Sequence, residues 1–137
     1  MFRKVEVIII VGTPGSGKKT AAYNITKGAY IKDDSNQWYG GYEGHDTMIM
    51  VNFNPWHVSF IHFLQIVDGC KMNLQVMGGV VASNWTRVII TTEFPVEGWP
   101  YSVIRYFKNV STYNFNEASE RIRFSVQHRV RNEKINW

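Results

Sequence analysis

The stretch "VGTPGSGKKT", Val11 to Thr20, most constrains what this chain can fold into. It follows "KVEVIII", a β-branched run suited to a central parallel strand, and precedes Ala21 and Ala22, which favour helix. A glycine loop between strand and helix is the setting in which successive backbone N–H groups turn inward and hold a phosphate. Gly12, Gly15 and Gly17 supply the backbone freedom, and Lys18 is placed to reach the β- and γ-phosphates. The usual pattern, G-x-x-x-x-G-K, is followed by Ser or Thr, whose hydroxyl ligates Mg²⁺. Here that position holds Lys19, and the hydroxyl of Thr20 lies one residue on, about 100° further round the helix. An ammonium repels the cation that a hydroxyl would bind. The candidate nucleotide site is therefore Gly12, Thr13, Pro14, Gly15, Ser16, Gly17, Lys18, Lys19 and Thr20, with ATP or another nucleotide as ligand and a weakened hold on Mg²⁺. Lys19 raises a second idea: its charge would replace part of the metal's, giving phosphate binding without a divalent ion.

Periodicity predicts the rest of the chain. The helix after the loop runs from Lys18 to Lys27, stopped by Gly28. "DDSNQWYGGYEGHD" is a turn-rich aromatic connection, and "TMIMVNF" a second buried strand. Trp56, Phe60, Phe63, Leu64 and Val67 recur at helical spacing, predicting a helix from Trp56 to Asp68. "MNLQVMGGVVAS" reads as a hairpin turning at Gly78-Gly79, and "TRVIITTEF" as a third buried strand closed by Pro95. "YSVIRYFKNV" suits a short helix. In "RIRFSVQHRVR" the residues alternate as in a strand, Ile122, Phe124 and Val126 on one side, Arg121, Arg123 and Ser125 on the other. No repeat, linker or low-complexity segment interrupts the 137 residues, so one α/β domain is expected, with parallel strands flanked by helices.

Composition excludes several classes. A hydrophobic fraction of 45% with 19% charged residues excludes a disordered tail. No apolar run approaches the roughly 20 residues of a membrane span. The opening "MFRKVEVIIIVG" has basic residues before an apolar run, but the run is short and passes straight into the glycine loop, which favours a buried strand over a signal peptide. Cys70 is the single cysteine, which rules out an intrachain disulfide and suits an intracellular location in an unspecified compartment. The formal charge of +4 is compatible with a polyanionic partner without requiring one.

Several segments together resemble the superfamily 3 helicase domain of the replication initiator (Rep) proteins of circular single-stranded DNA viruses, circovirus type. "GTPGSGKKTAA" resembles that family's phosphate loop, and "NQWYGGYEG" its aromatic-glycine segment before the second strand. "MIMVNF" followed by Trp56 falls where the metal-binding acidic pair lies. "VMGGVV" resembles the hairpin that touches DNA, and "VIITTEFPVEGW" the strand ending in a polar sensor residue, then Pro and Trp. The likeness spans about residues 5 to 105; residues 106 to 137 form a basic segment that matches poorly, and the family's N-terminal endonuclease domain has no counterpart within these residues. The resemblance implies a P-loop NTPase of AAA+ type, assembled as a hexameric ring that moves on single-stranded DNA and unwinds duplex. Carried over residue by residue, Gly12, Gly17 and Lys18 match. The two metal-binding acids are Val51 and Asn52 here, the sensor asparagine is Glu93, and the hairpin lysine is Met77. Arg105 stands where an arginine would act across a subunit boundary, but its companion is Tyr106.

The losses at Lys19, Val51, Asn52 and Glu93 all fall on the metal and water machinery, while the scaffold residues persist. The leading expectation is a Rep-type domain whose ATP hydrolysis is weak or lost, serving as a phosphate- and nucleic-acid-binding module, as a domesticated subunit of a nucleoprotein particle or in a homo-oligomeric ring. The alternatives are an active ATP-dependent DNA helicase of rolling-circle viral replication and a purely structural scaffold. Arg121, Arg123, Arg129, Arg131 and Lys134 form the densest basic cluster and the candidate phosphate-backbone contact, DNA or RNA. Trp38, Tyr39 and Tyr42 suit either base stacking or packing under the loop. Asp46 lies at the wrong end of its strand to hold a metal, and Asp33 and Asp34 sit in a connection that nothing fixes. His57 and His62, five apart on the expected helix, lack the spacing of a metal pair; Trp85 and Trp99 suit the core, and Cys70 reads as a small buried group.

Overall fold

A computed structural model describes residues 3–33, 39–101 and 109–128. Among the described residues, seven strands and three α-helices follow in order: β1 (Glu6–Val11), α1 (Lys18–Ile25), β2 (Tyr30–Lys32), β3 (Thr47–Met50), α2 (Phe60–Val67), β4 (Asn73–Val76), β5 (Gly79–Ala82), β6 (Arg87–Thr92), β7 (Val110–Asn114) and α3 (Ala118–His128). Five strands form one sheet in the order β2-β3-β6-β1-β7, every pair parallel, and β4 and β5 form a separate antiparallel hairpin. A parallel sheet flanked by helices, with a hairpin apart, is consistent with a P-loop NTPase-like α/β fold.

Strand alternation builds two cores. Val7, Ile9 and Val11 of β1 join Met48, Met50, Val88 and Ile90 under Phe63, Ile66 and Val67 of α2. Ile8 and Ile10 face the other way, with Ile49, Ile89, Ala21 and Ala22 of α1 and Phe124 of α3. Because both faces are covered, β1 is apolar from Val7 to Val11 and β6 from Val88 to Ile90, with Thr91 and Thr92 also buried. Trp85 is fully buried and its indole N–H donates to the Ile66 carbonyl at 2.9 Å, tying the start of β6 to α2. Trp99 is buried in the same core, as expected.

Four expectations are corrected. The second helix starts at Phe60, because Ser59 caps it by accepting the His62 N–H at 3.1 Å; Trp56 and His57 precede it, and Trp56 is 56% exposed. The hairpin turns one residue earlier, at Met77-Gly78, with Gly78 at φ 89°. The segment around Arg121 to His128 is helix, not strand; Phe124 is buried while Ile122 and Val126 are 64% and 71% exposed. Cys70 is only half-buried, its N–H donating to the Asp68 carboxylate at 2.8 Å. Strands β2 and β7 lie where no strand was expected. The short helix expected around residues 101–110 lies mostly outside the described residues, with Val110 already in β7; Trp38, Asp34, Arg105, Arg129, Arg131 and Lys134 also lie outside them. Among the described residues, no helix is long and apolar enough to cross a membrane.

Candidate nucleotide site

In a parallel sheet every strand ends on the same edge, and ligands bind along it. β1 stands between β6 and β7, so its exit loop, residues 12–17, lies between two neighbours. The Gly12 N–H donates to the Thr92 carbonyl at 3.0 Å, and the Phe115 N–H to the Val11 carbonyl at 2.6 Å, so both neighbours grip the loop's root. Gly15 and Gly17 adopt φ of 84° and 90°, the left-handed values that turn backbone amides inward. Gly17 caps α1 without any side-chain hydrogen bond, which leaves the helix's first N–H groups to an anion.

Lys18 opens α1 and is only 7% exposed, its Nζ donating to the Thr13 carbonyl at 3.3 Å. Burial pushes its pKa below the ordinary value; the nearby Glu93 carboxylate opposes that shift and the Lys19 ammonium adds to it. The Ser16 hydroxyl oxygen is buried without a hydrogen-bond partner among the described residues. A buried unpaired hydroxyl costs free energy unless something supplies a partner, and a phosphate oxygen would do so. Asn116, after β7, accepts both the Thr13 N–H at 3.0 Å and the Thr13 hydroxyl at 3.1 Å. Sequence reasoning missed this brace, because the two residues lie 103 positions apart and no motif marks Asn116. Pro14, Lys19 and Thr20 are exposed at the rim.

The end of β3 offers little to a metal. Val51 is buried among apolar side chains that include Ala21 and Phe124. Asn52 is exposed at φ 55°, and its N–H donates to the Thr91 hydroxyl at 3.1 Å. Both residues line a cavity of about 140 Å³ with Lys32, Asp33, Asn54 and His57 among others. Lys32 is buried there, its ammonium 4.4 Å from the Tyr39 ring centroid. Asp46 stands just before β3, at the opposite end of the strand. No cluster of three His, Cys, Asp or Glu side chains able to hold a metal exists among the described residues. Mg²⁺ demands near-octahedral oxygen ligation, usually with a carboxylate. Val51 offers no ligand, Asn52 one carboxamide, and Asp33 is, among the described residues, the one carboxylate lining the cavity with them; beside two lysines, that set falls short of what Mg²⁺ demands. Glu93 alone of the three altered positions carries a carboxylate, and it is exposed just beyond β6.

The remaining candidates are mostly engaged in the fold. Arg121 donates to the Phe115 carbonyl at 2.7 Å. Arg123 pairs with Glu120 at 2.7 Å, donates to the Thr112 carbonyl at 2.8 Å and lies 4.1 Å from the Tyr113 ring centroid. These two arginines therefore fasten α3 to β7 and its exit loop. Tyr39 and Tyr42 are both about 1% exposed and pack against Trp85, so they belong to the core and offer bases no platform. His62 is buried with its Nε2 at 3.4 Å from the Tyr39 hydroxyl, while His57 is exposed outside the helix.

Comparison with characterised sequences gives one consistent group. The chain is similar to the replication-associated protein of beak and feather disease virus, 30% identical over 123 residues, which is 85% of this chain and 42% of that protein. It is 26% identical over 113 residues to the replication-associated protein of goose circovirus, covering 80% of this chain and 38% of that protein. To the replication-associated protein of porcine circovirus 1 it is 27% identical over 119 residues, covering 82% of this chain and 38% of that protein. The chain thus spans about two fifths of the length of these relatives. No protein-family model matches it.

Proposed function

We propose that this chain is the superfamily 3, helicase-type part of a circovirus-type replication-associated protein, in which the glycine loop still binds a polyphosphate while ATP hydrolysis is weak or lost. One juxtaposition carries this: a braced loop with a buried lysine and an unpartnered Ser16 hydroxyl, beside a strand end that presents Val51 and Asn52. Binding and turnover need different things. A nest of amides and one ammonium suffices to hold phosphate. Transfer of the terminal phosphoryl group needs a divalent ion bridging the β- and γ-oxygens and an oriented nucleophile. The side chains here serve the first need and not the second.

The similarity to replication-associated proteins supports nucleic acid, DNA in the first instance, as the partner, and the basic segment after residue 106 supplies cations for it. An active ATP-dependent helicase is the second reading, favoured by relatives that carry a replication name over four fifths of this chain.

Phosphate release by the purified chain separates the two. The expected result is a rate with ATP no higher than that of Lys18→Ala, alongside nucleotide binding that Lys18→Ala weakens about tenfold or more, since one charge-assisted contact is lost. Brisk, Lys18-dependent release of phosphate would overturn the first reading in favour of the second. Binding of single-stranded DNA is expected to weaken steeply as salt rises, each neutralised phosphate adding about 0.7 to the log–log slope. Replacing Arg129, Arg131 and Lys134 together should flatten that slope; an affinity indifferent to salt would remove nucleic acid from the proposal.

A further inference from the structure

We propose that Glu93 makes this loop a diphosphate site that works without a divalent metal: it accepts a nucleoside diphosphate or inorganic pyrophosphate and turns away a third phosphate. The proposal rests on the loop binding phosphate, and adds which phosphate.

The placement of Glu93 follows from register. β6 runs parallel to β1 with Thr92 opposite Val11, and the Thr92 carbonyl accepts the Gly12 N–H at 3.0 Å. The next residue of β6's exit is Glu93, so an exposed carboxylate stands level with the first turn of the glycine loop. Its charge reaches the Lys18 ammonium, and so does that of Lys19. The mouth of the loop therefore carries two cationic residues and one acidic residue, their backbone positions set by α1 and by the exit of β6.

A ligand entering this field meets unequal ends. The phosphates nearest the helix N-terminus find backbone N–H groups, Lys18 and Lys19. A further phosphate, projecting beyond Lys18, meets the Glu93 carboxylate. In an ordinary site a metal ion bridging the last two phosphates would neutralise that encounter. Here Val51 and Lys19 give the ion no ligand, and Asn52 and Asp33 give it too few, so the repulsion stands.

Titration calorimetry of the chain in metal-free buffer with chelator tests this, using ADP and ATP on the unaltered protein, Glu93→Gln and Lys18→Ala. ADP is expected to bind about tenfold tighter than ATP, the size of a partly solvated like-charge contact. Glu93→Gln should bring ATP to within about twofold of ADP, raising ATP affinity much more than ADP affinity, and added Mg²⁺ should leave the ADP affinity where it was. Glu93 is exposed, so the variant should melt with the unaltered protein, and a melting curve verifies it. If ATP and ADP bind in a Lys18-dependent way with a ratio that Glu93→Gln does not move, Glu93 is not the discriminator and this inference falls while the phosphate site stands. If neither nucleotide binds to any form, the site and the inference fall together.

Discussion

Gly12 shows how narrowly one residue can be specified. A Cβ built there would lie 2.3 Å from the Ser16 hydroxyl oxygen and 3.2 Å from the Phe115 Cβ, because the loop folds back over its own root. Gly12→Ala must push the loop outward, and overpacking of this kind costs about 1–3 kcal/mol. Thermal melts should show that loss together with weakened nucleotide binding, since the Ser16 side chain would have to move. Gly15 makes the opposite case. Its Cβ would meet nothing within 4 Å, and only the φ of 84° penalises a side chain. Gly15→Ala should cost about 1–2 kcal/mol through backbone strain alone. A larger loss at Gly15 than at Gly12 would mean that backbone conformation, not space, limits the loop. Both glycines stand out in the sequence because the motif is local. Asn116 does not, because its role exists only once β7 has brought it beside Thr13.

At the scale of elements, the chain declared the parts whose burial is apolar and hid those whose burial is polar. β1, β3 and β6 are centred on runs of Ile, Val and Met, and their type was legible. β2 has three residues, and β7, "VSTYN", lies at the sheet's edge with a single fully buried position, Tyr113. Neither carries enough apolar residues to show a period. α3 misled outright. Ile122, Phe124 and Val126 alternate, yet the inward stripe of the helix is Arg121, Phe124, Ser125 and His128, at i, i+3, i+4 and i+7. Three of those four are polar, so hydrophobicity shows a false period of two. The site was half legible for the same reason: the loop is contiguous, and the resemblance marked Glu93, but Thr92 at the end of β6 and Asn116 after β7 meet the loop only in the fold. Helix and strand differ in what they predict for mutants. Phe124→Ala should cost about 3–5 kcal/mol, the loss of a fully buried phenyl ring. Val126→Ala, exposed on the helix, should stay within about 0.5 kcal/mol. Chemical denaturation of the two variants measures both, and equal losses would restore the strand.

For the molecule as a whole, one buried imidazole and one half-buried one couple its stability to pH from opposite faces of the sheet. His62 packs with α2 in one layer, and His128 ends α3 in the other. Burial pushes both below their ordinary 6.5; for His62 the Lys32 ammonium adds to the effect, and for His128 the charges of Arg87 and Arg123 add to it while Glu6 opposes them. Each also faces a tyrosine hydroxyl, Tyr39 for His62 at 3.4 Å and Tyr113 for His128 at 3.1 Å. The unfolded chain, with ordinary histidines, takes up protons first. Stability is therefore fully present above about 6.5 and is lost as pH falls from there toward the lower values of the folded state. Glu120 behaves differently, because its hydrogen bond to Arg123 holds it below its ordinary 4.5 and its contribution persists until stronger acid. The two effects thus occupy separate pH windows. Urea midpoints measured from pH 7.5 down to 5 should fall, and His62→Gln and His128→Gln should each remove part of the fall. The histidines sit in different layers and face different tyrosines, so the double variant should remove the sum of the two parts. If it removes less, protonation on one face of the sheet changes the cost on the other, and the two layers melt as one unit.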